Sequence, residues 1–156
     1  MYTSAFGLRS SCATEAVYYF LTRRRARIYT ELFNAMDRRE FEKLVSEAIR
    51  ELPKEFGNKL TNVAIIIEDY PSEELMERMG LSSGDTLFGL YEGVPLPERG
   101  FFAEPLYPDR ILIFQRAIED NCDSPEEVKH ELRTTLVHEV AHFFGIDDDH
   151  LEEIGY

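Results

Sequence analysis

The sequence from His138 to His150 reads H-E-V-A-H-F-F-G-I-D-D-D-H. On a helix, His138 and His142 lie one turn apart on the same face, so both imidazoles can reach a single metal ion. Glu139 lies about 100° further round the helix, where its carboxylate flanks that ion and holds a water molecule instead of ligating the metal. The stretch therefore predicts a metal site on a C-terminal helix.

A third ligand is expected in the loop that follows this helix. Gly145 stands where helices commonly end in a left-handed residue, which only glycine adopts at little cost. The chain can then turn back toward the metal, and we predict that Asp148 is the third ligand. Asp147, Asp149 and His150 compete for this role. Imidazole is the softer and better zinc ligand, but His150 comes two residues later in the loop, so it is kept as the alternative.

The expected chemistry is metal-assisted amide hydrolysis with Zn2+ as the cofactor. Zinc with three protein ligands keeps a fourth position for water and lowers the pKa of that water to about 7. Glu139 would take the proton of this water and pass it to the leaving amine. No methionine follows Met79, which argues against classes with a methionine turn below the zinc. Only residues 143–156 follow His142, which disfavours classes that recruit a glutamate from a further helix.

Composition sets the broad class of protein. The 156 residues are 44% hydrophobic, which is enough for one domain with a core, and they carry a formal charge of -13. Binding nucleic acid needs clustered Lys and Arg, so we expect no nucleic-acid partner. No apolar run approaches the roughly 18 residues of a membrane span, so no membrane is expected either. Cys12 and Cys122 form no zinc or disulfide pattern and predict thiols in the cytoplasm.

The expected partner is a peptide or protein substrate. Nothing in the sequence fixes the oligomeric state, and a monomer is consistent with it.

Residues 1–35 differ from the rest of the chain. They contain five of the 17 basic residues and two of the 30 acidic ones, so this segment is +3 and residues 36–156 are -16. The apolar stretch Ala16 to Leu21 precedes an arginine cluster, the reverse of the order in a secretory signal, and an organelle transit peptide is the alternative. We expect residues 1–35 to be a non-essential extension and residues 36–156 to be the domain proper.

Hydrophobic spacing predicts the helices. Apolar residues recur at intervals of three and four from Asp37 to Leu52, and Pro53 ends the run. A weak helical turn is expected before Gly80, and a short helix is expected over residues 116–120. The motif helix should begin at Ser124-Pro125, a capping residue followed by proline in the first turn, and run to about Phe144.

Three short β-prone runs predict strands at residues 63–67, 86–91 and 111–114, the first of them buried on both sides. Residues 98–109 are expected to form an ordered loop or a hairpin. Strands flanked by helices predict an α+β domain, in which a small mixed sheet is packed by an N-terminal helix and the C-terminal motif helix.

Four motifs in this order resemble the small bacterial zincin-like metallopeptidase family, also called minimal metalloproteases. They are N-V-A-I-I-I-E-D-Y-P at residues 62–71, G-L-Y-E-G-V-P-L at 89–96, P-D-R-I-L-I-F at 108–114, and T-L-V-H-E-V-A-H-F-F-G-I-D-D at 135–148. The resemblance covers the chain from about Met36 onward. It implies a compact zincin-like domain with zinc on His138, His142 and Asp148, and with Glu139 as the general base. It implies no particular substrate.

Three functions are compatible with these residues. A zinc-dependent endopeptidase accounts for Glu139, since a structural site has no use for a base between its ligands. A catalytically weak metal-binding or regulatory domain is the alternative. A metal-dependent endoribonuclease is disfavoured by the acidic charge.

Several other side chains are weighed for roles near the site. Tyr91, Arg116 and Tyr156 are candidates for stabilising the oxyanion, and His130 is predicted to be a surface residue. Phe101 and Phe102 either wall a substrate groove or anchor their loop. An exposed strand edge, near residues 86–91 or 111–114, could bind an extended peptide by backbone pairing.

Overall fold

The computed structural model describes residues 16–23, 36–82, 84–99, 108–147 and 151. Within these ranges no helix combines the length and the apolar character that crossing a membrane requires. The strands are Ala16–Arg23 (β1), Val63–Glu68 (β2), Asp85–Gly93 (β3) and Asp109–Phe114 (β4). The helices are Arg38–Glu51 (α1), Lys54–Gly57 (α2), Glu73–Arg78 (α3), Gln115–Glu119 (α4) and Pro125–Phe143 (α5), with a 3-10 turn at Leu96–Glu98.

Helix α1 begins and ends where the hydrophobic spacing predicts. The Asp37 carboxylate accepts a hydrogen bond from the backbone N–H two residues further on, which satisfies one of the donors that a helix start leaves open. Phe41, Val45 and Ala48 follow at helical spacing and are buried. Pro53 lies just beyond the helix, where its ring prevents a further turn.

Helix α5, the predicted motif helix, is fixed at its start by side-chain capping. The Ser124 hydroxyl accepts a hydrogen bond from the Glu127 N–H at 3.2 Å. Pro125 is the first helical residue, where its missing N–H leaves no bond unmade. The inward side of the helix is at most 3% exposed and consists of Val128, Leu132, Leu136, Val140 and Phe143. The predicted boundaries of this helix are confirmed.

The strands form one mixed sheet in the order β1-β3-β4-β2. Strands β2 and β4 are parallel, and β3 runs antiparallel to both β4 and β1. The prediction that residues 63–67 form a strand is confirmed, but the prediction that this strand is buried on both sides is wrong. Its residues are half-buried, because β2 lies at the edge of the described sheet with β4 as its neighbour.

Strand β1 is an element that the sequence interpretation missed, although Val, Tyr and Phe in its sequence favour strands. It pairs with β3 from Ala16 opposite Gly93 to Arg23 opposite Asp85. The register shifts between Tyr19 and Leu21, so that the ladder is interrupted by a bulge. The expectation that residues 36–156 fold and hold metal without residues 1–35 stays a prediction.

Helix α5 packs on β3, β1 and α1. Its closest approach to the sheet is at Gly89, where a Cβ would lie 2.6 Å from Thr135 Cγ2 and 3.0 Å from Glu139 Cγ. Only glycine leaves room for the helix at this distance. The predicted α+β class is confirmed, with the motif helix lying against the mixed sheet.

Candidate metal centre

Helix α5 brings the two motif histidines together. The ring centroids of His138 and His142 are 4.5 Å apart and their planes meet at 82°, an edge-to-face arrangement of residues one turn apart. Their side chains are buried, at 5% and 0% exposure. Two imidazoles held this close can share one cation.

The end of the helix orients His142. Its Nδ1 lies 2.9 Å from the backbone oxygen of Ile146. A carbonyl oxygen can only accept a hydrogen bond, so this contact requires the proton to be on Nδ1. When the ring is neutral, this tautomer leaves the lone pair on Nε2, the atom through which it can bind a metal.

Strand β3 positions the carboxylate of Glu139. The backbone N–H of Tyr91 donates a hydrogen bond to Glu139 Oε2 at 2.7 Å. The other oxygen, Oε1, lies 3.1 Å from the point where a Cβ on Gly89 would stand. Glu139 is fully buried. Its orientation is therefore set by the backbone of β3 and by the missing side chain at Gly89.

Helix α5 is followed by a tight turn at Gly145. Gly145 has φ of 78°, and its N–H bonds the carbonyl of His142 at 2.9 Å. The Ile146 N–H bonds the carbonyl of Ala141 at 3.0 Å. A Cβ at Gly145 would lie 2.9 Å from Pro97 Cγ, so the loop after β3 presses on this turn. The predicted left-handed glycine at the end of the helix is confirmed, while the return of the chain toward the metal stays a prediction, because residues 148–150 lie outside the described residues.

The predicted third ligand, Asp148, lies outside the described residues, as do its competitors Asp149 and His150. Asp147 is described and exposed. The Leu151 N–H bonds the Asp147 carbonyl at 3.1 Å. Among the described residues, no set of three His, Cys, Asp or Glu side chains is arranged to hold a metal ion. The assignment of the third ligand to Asp148 stays a prediction.

A buried polar network beside α5 was missed in the sequence. The Arg99 guanidinium forms an ion pair with the Asp109 carboxylate. The Arg99 Nε donates a hydrogen bond to the Val94 carbonyl at 2.9 Å. The guanidinium also lies 5.0 Å from the centre of the Phe143 ring. Tyr91 packs edge-on against the same ring at 6.1 Å. This network ties the loop after β3 to the end of the motif helix. Its members lie far apart in sequence and show no pattern that would reveal it.

The remaining predicted residues fall in different places. Tyr91 contacts Glu139 through its backbone N–H and not through its phenol. Burial, followed by the charge of Asp109, raises the pKa of the Tyr91 phenol above its ordinary value. Arg116 forms an ion pair with Glu119. His130 is exposed, as predicted. Phe101, Phe102 and Tyr156 lie outside the described residues.

Two buried histidines one turn apart, with a buried glutamate between them on a helix against a mixed sheet, define the zincin-like class of proteins. The family model described as zincin-like metallopeptidase matches residues 60–156. This chain belongs to that family. The four sequence motifs between residues 62 and 148 all fall inside the match, and helix α1 precedes it. No curated protein matches the chain.

Proposed function

We propose that this protein is a zinc-dependent endopeptidase in which His138, His142 and Asp148 hold the metal and Glu139 is the general base. The observation that carries the proposal is the pair of imidazoles 4.5 Å apart, together with the buried Glu139 carboxylate, which is held by the Tyr91 N–H. A site that only stores metal needs no oriented carboxylate beside its ligands. The proposed substrate is a peptide or protein in the cytoplasm.

The donor set fits zinc. Imidazole nitrogen and carboxylate oxygen are both common zinc ligands, and zinc sites in hydrolases often have three protein ligands. Metal-binding histidines are usually oriented by a hydrogen bond from the ring nitrogen that does not bind the metal. In His142 this nitrogen is Nδ1, and the backbone oxygen of Ile146 accepts the bond. Helix α5 is braced by the core along its inward side, which gives the histidines a rigid support.

Zinc, when bound, acts as a Lewis acid and makes water a stronger acid. The residues of this chain supply the proton transfers. Glu139 receives a proton from the attacking water and delivers it to the nitrogen of the leaving amine. The Tyr91 N–H holds Oε2 in place during both transfers, so the carboxylate need not reorient. His138 and His142 bind the cation and take no part in moving protons.

A second function is favoured by one observation. The side chains of His138, Glu139 and His142 are at most 5% exposed, whereas a working peptidase must admit a polypeptide to these groups. A metal-binding domain with little turnover requires no such access. The two functions differ in what happens to a protein substrate.

The test compares the unaltered chain with Glu139→Gln, and uses Glu131→Gln on the same helix as the matched control. Zinc is measured by elemental analysis, and cleavage is measured with a denatured protein and with RNA. We expect Glu139→Gln to keep its zinc and to lose about 10²- to 10⁴-fold in protein cleavage, the range for a general base. Glu131→Gln should cleave like the unaltered chain. Zinc binding without cleavage of either polymer would support the second function, and RNA cleavage would support the nuclease.

The third ligand is tested separately by zinc content. Asp148→Ala should lose the metal, while His150→Ala and Asp149→Ala should retain it. Undiminished zinc in Asp148→Ala, together with loss in His150→Ala, would move the assignment to His150.

A further inference from the structure

Strand β1 occupies the edge of the sheet that lies beside the candidate base. Tyr91, whose N–H binds Glu139, has Tyr18 of β1 as its register partner. Neighbouring strands are about 4.8 Å apart, so β1 passes one strand spacing from the backbone that positions the carboxylate. The other edge of β3 is paired with β4. An extended peptide that reaches this site by backbone pairing must therefore take the place of β1.

The burial of the site agrees with an occupied edge. His138, Glu139 and His142 are at most 5% exposed, and α5 packs against both β3 and β1. Among the described residues, β3 is paired with β1 on one side and with β4 on the other, so a second polypeptide cannot pair with the outer edge of β3 while β1 is in place. An extended peptide that pairs with this edge of β3 must displace β1, which belongs to the segment that lies outside the family match.

Two features make β1 suited to exchange. The bulge divides its pairing with β3 into a run from Ala16 to Tyr19 and a run from Leu21 to Arg23, so neither run is long. Long-range electrostatic attraction favours β1 at the edge of β3, because residues 1–35 carry a net charge of +3 and residues 36–156 carry -16. This attraction requires no specific contact. Arg23, the first arginine of the cluster, is the register partner of Asp85.

We infer that β1 is an exchangeable occupant of the outer edge of β3, and that an extended peptide with an apolar, β-prone stretch followed by arginines can replace it. The inference rests on the proposed peptidase function, because it assigns the substrate class and the resting inhibition of that site. The inference is compatible with a domain that folds without residues 1–35, because a strand that can leave the sheet is not needed for the core.

The test uses the full chain and the synthetic peptide A-V-Y-Y-F-L-T-R-R-R, which is the sequence of residues 16–25. The variant Tyr18→Pro/Tyr19→Pro weakens β1. The N–H groups of consecutive strand residues point to opposite sides, so one of the two prolines removes a donor toward β3 whatever the pairing phase. The control Tyr18→Val/Tyr19→Val removes the same rings but keeps strand propensity. A chelator is present, so that binding is measured without turnover.

Binding of the labelled peptide is followed by fluorescence anisotropy. We expect the proline variant to bind about 10- to 100-fold more tightly than the unaltered chain, because the resident strand no longer competes for the edge. The valine control should bind like the unaltered chain, and a scrambled peptide of equal composition should bind to neither. Equal affinity of the unaltered chain and the proline variant would overturn the inference. Equal binding of the scrambled peptide would also overturn it, since charge alone would then explain the binding.

Thermal unfolding of the same variants separates an occupant from a structural strand. The proline variant should keep a cooperative transition, and loss of that transition would overturn the inference. With zinc restored, the proline variant should cleave a denatured protein faster than the unaltered chain. Tight peptide binding without cleavage in any variant would refute the proposed peptidase and leave strand exchange standing.

Discussion

The contact between α5 and β3 at Gly89 gives a prediction whose size follows from the structure. In Gly89→Ala the new Cβ would lie 2.6 Å from Thr135 Cγ2 and 3.0 Å from Glu139 Cγ. Carbon atoms pack at about 3.5–4.0 Å, so the helix must move away from the strand by about 1 Å. Overpacking of this kind costs about 1–3 kcal/mol of unfolding free energy. For a chain of this length each kcal/mol corresponds to a fall of about 2–4 °C in Tm.

Urea unfolding measures this cost, and a second substitution identifies its source. Thr135→Ser removes the Cγ2 atom that makes the closest contact, and by itself should cost about 1 kcal/mol for the lost methyl group. The double variant Gly89→Ala/Thr135→Ser should then lose about 1 kcal/mol less unfolding free energy than the sum of the losses in the two single variants. Gly84→Ala is the matched control, because a Cβ there meets nothing within 4 Å.

The same displacement moves Glu139 relative to the Tyr91 N–H. A misplacement of about 1 Å at a catalytic group can cost roughly 100-fold in rate, so the proposed peptidase activity should fall further in Gly89→Ala than the change in stability explains. The reasoning is refuted if Gly89→Ala unfolds at the same urea concentration as Gly84→Ala. It is also refuted if adding Thr135→Ser to Gly89→Ala recovers none of the lost unfolding free energy.

Three further changes test other parts of the fold. Gly145→Ala should destabilise by about 2 kcal/mol, because it combines a left-handed backbone with a contact of 2.9 Å to Pro97, and it should weaken zinc binding in a titration. Asp109→Ala should cost about 3 kcal/mol in urea unfolding, since it leaves the mostly buried Arg99 guanidinium without its partner. Burial raises the pKa of the Glu131 carboxyl above its ordinary value of 4.5. The folded state therefore holds this proton more tightly than the unfolded state, so Glu131→Gln should raise Tm at pH 7, by an amount that shrinks toward pH 4.

Each of these changes has a control in the same chain. Gly80 has a left-handed backbone like Gly145, with φ of 69°, but a Cβ at Gly80 meets nothing within 4 Å. An equal loss of stability in Gly80→Ala and Gly145→Ala would show that the contact with Pro97 contributes nothing to the cost. Glu47 pairs with Lys129 at 3.5 Å on the surface, and Glu47→Gln should change stability by less than about 1 kcal/mol. Glu42→Gln, on the exposed side of α1, is the control, and a gain in Tm equal to that of Glu131→Gln would contradict the role of burial.

The sequence by itself determined the elements whose signals are local. A helix repeats every 3.6 residues, so two histidines four positions apart must share a face of α5 wherever that helix lies. Capping by Asp37 and Ser124, and the left-handed turn at Gly145, also depend on neighbours within a few residues. These features could be predicted because no distant partner is needed to form them.

Only the tertiary structure decided which strands are neighbours and what holds the carboxylate of the site. A β-prone run specifies neither its partner nor its place in a sheet, so the edge position of β2 and the pairing of β1 with β3 had no local signal. The hydrogen bond from the Tyr91 N–H to Glu139 joins residues 48 positions apart and requires a glycine at position 89. Contacts of this kind arise when helix and sheet pack together, because packing brings together backbone groups and spaces that no sequence pattern encodes.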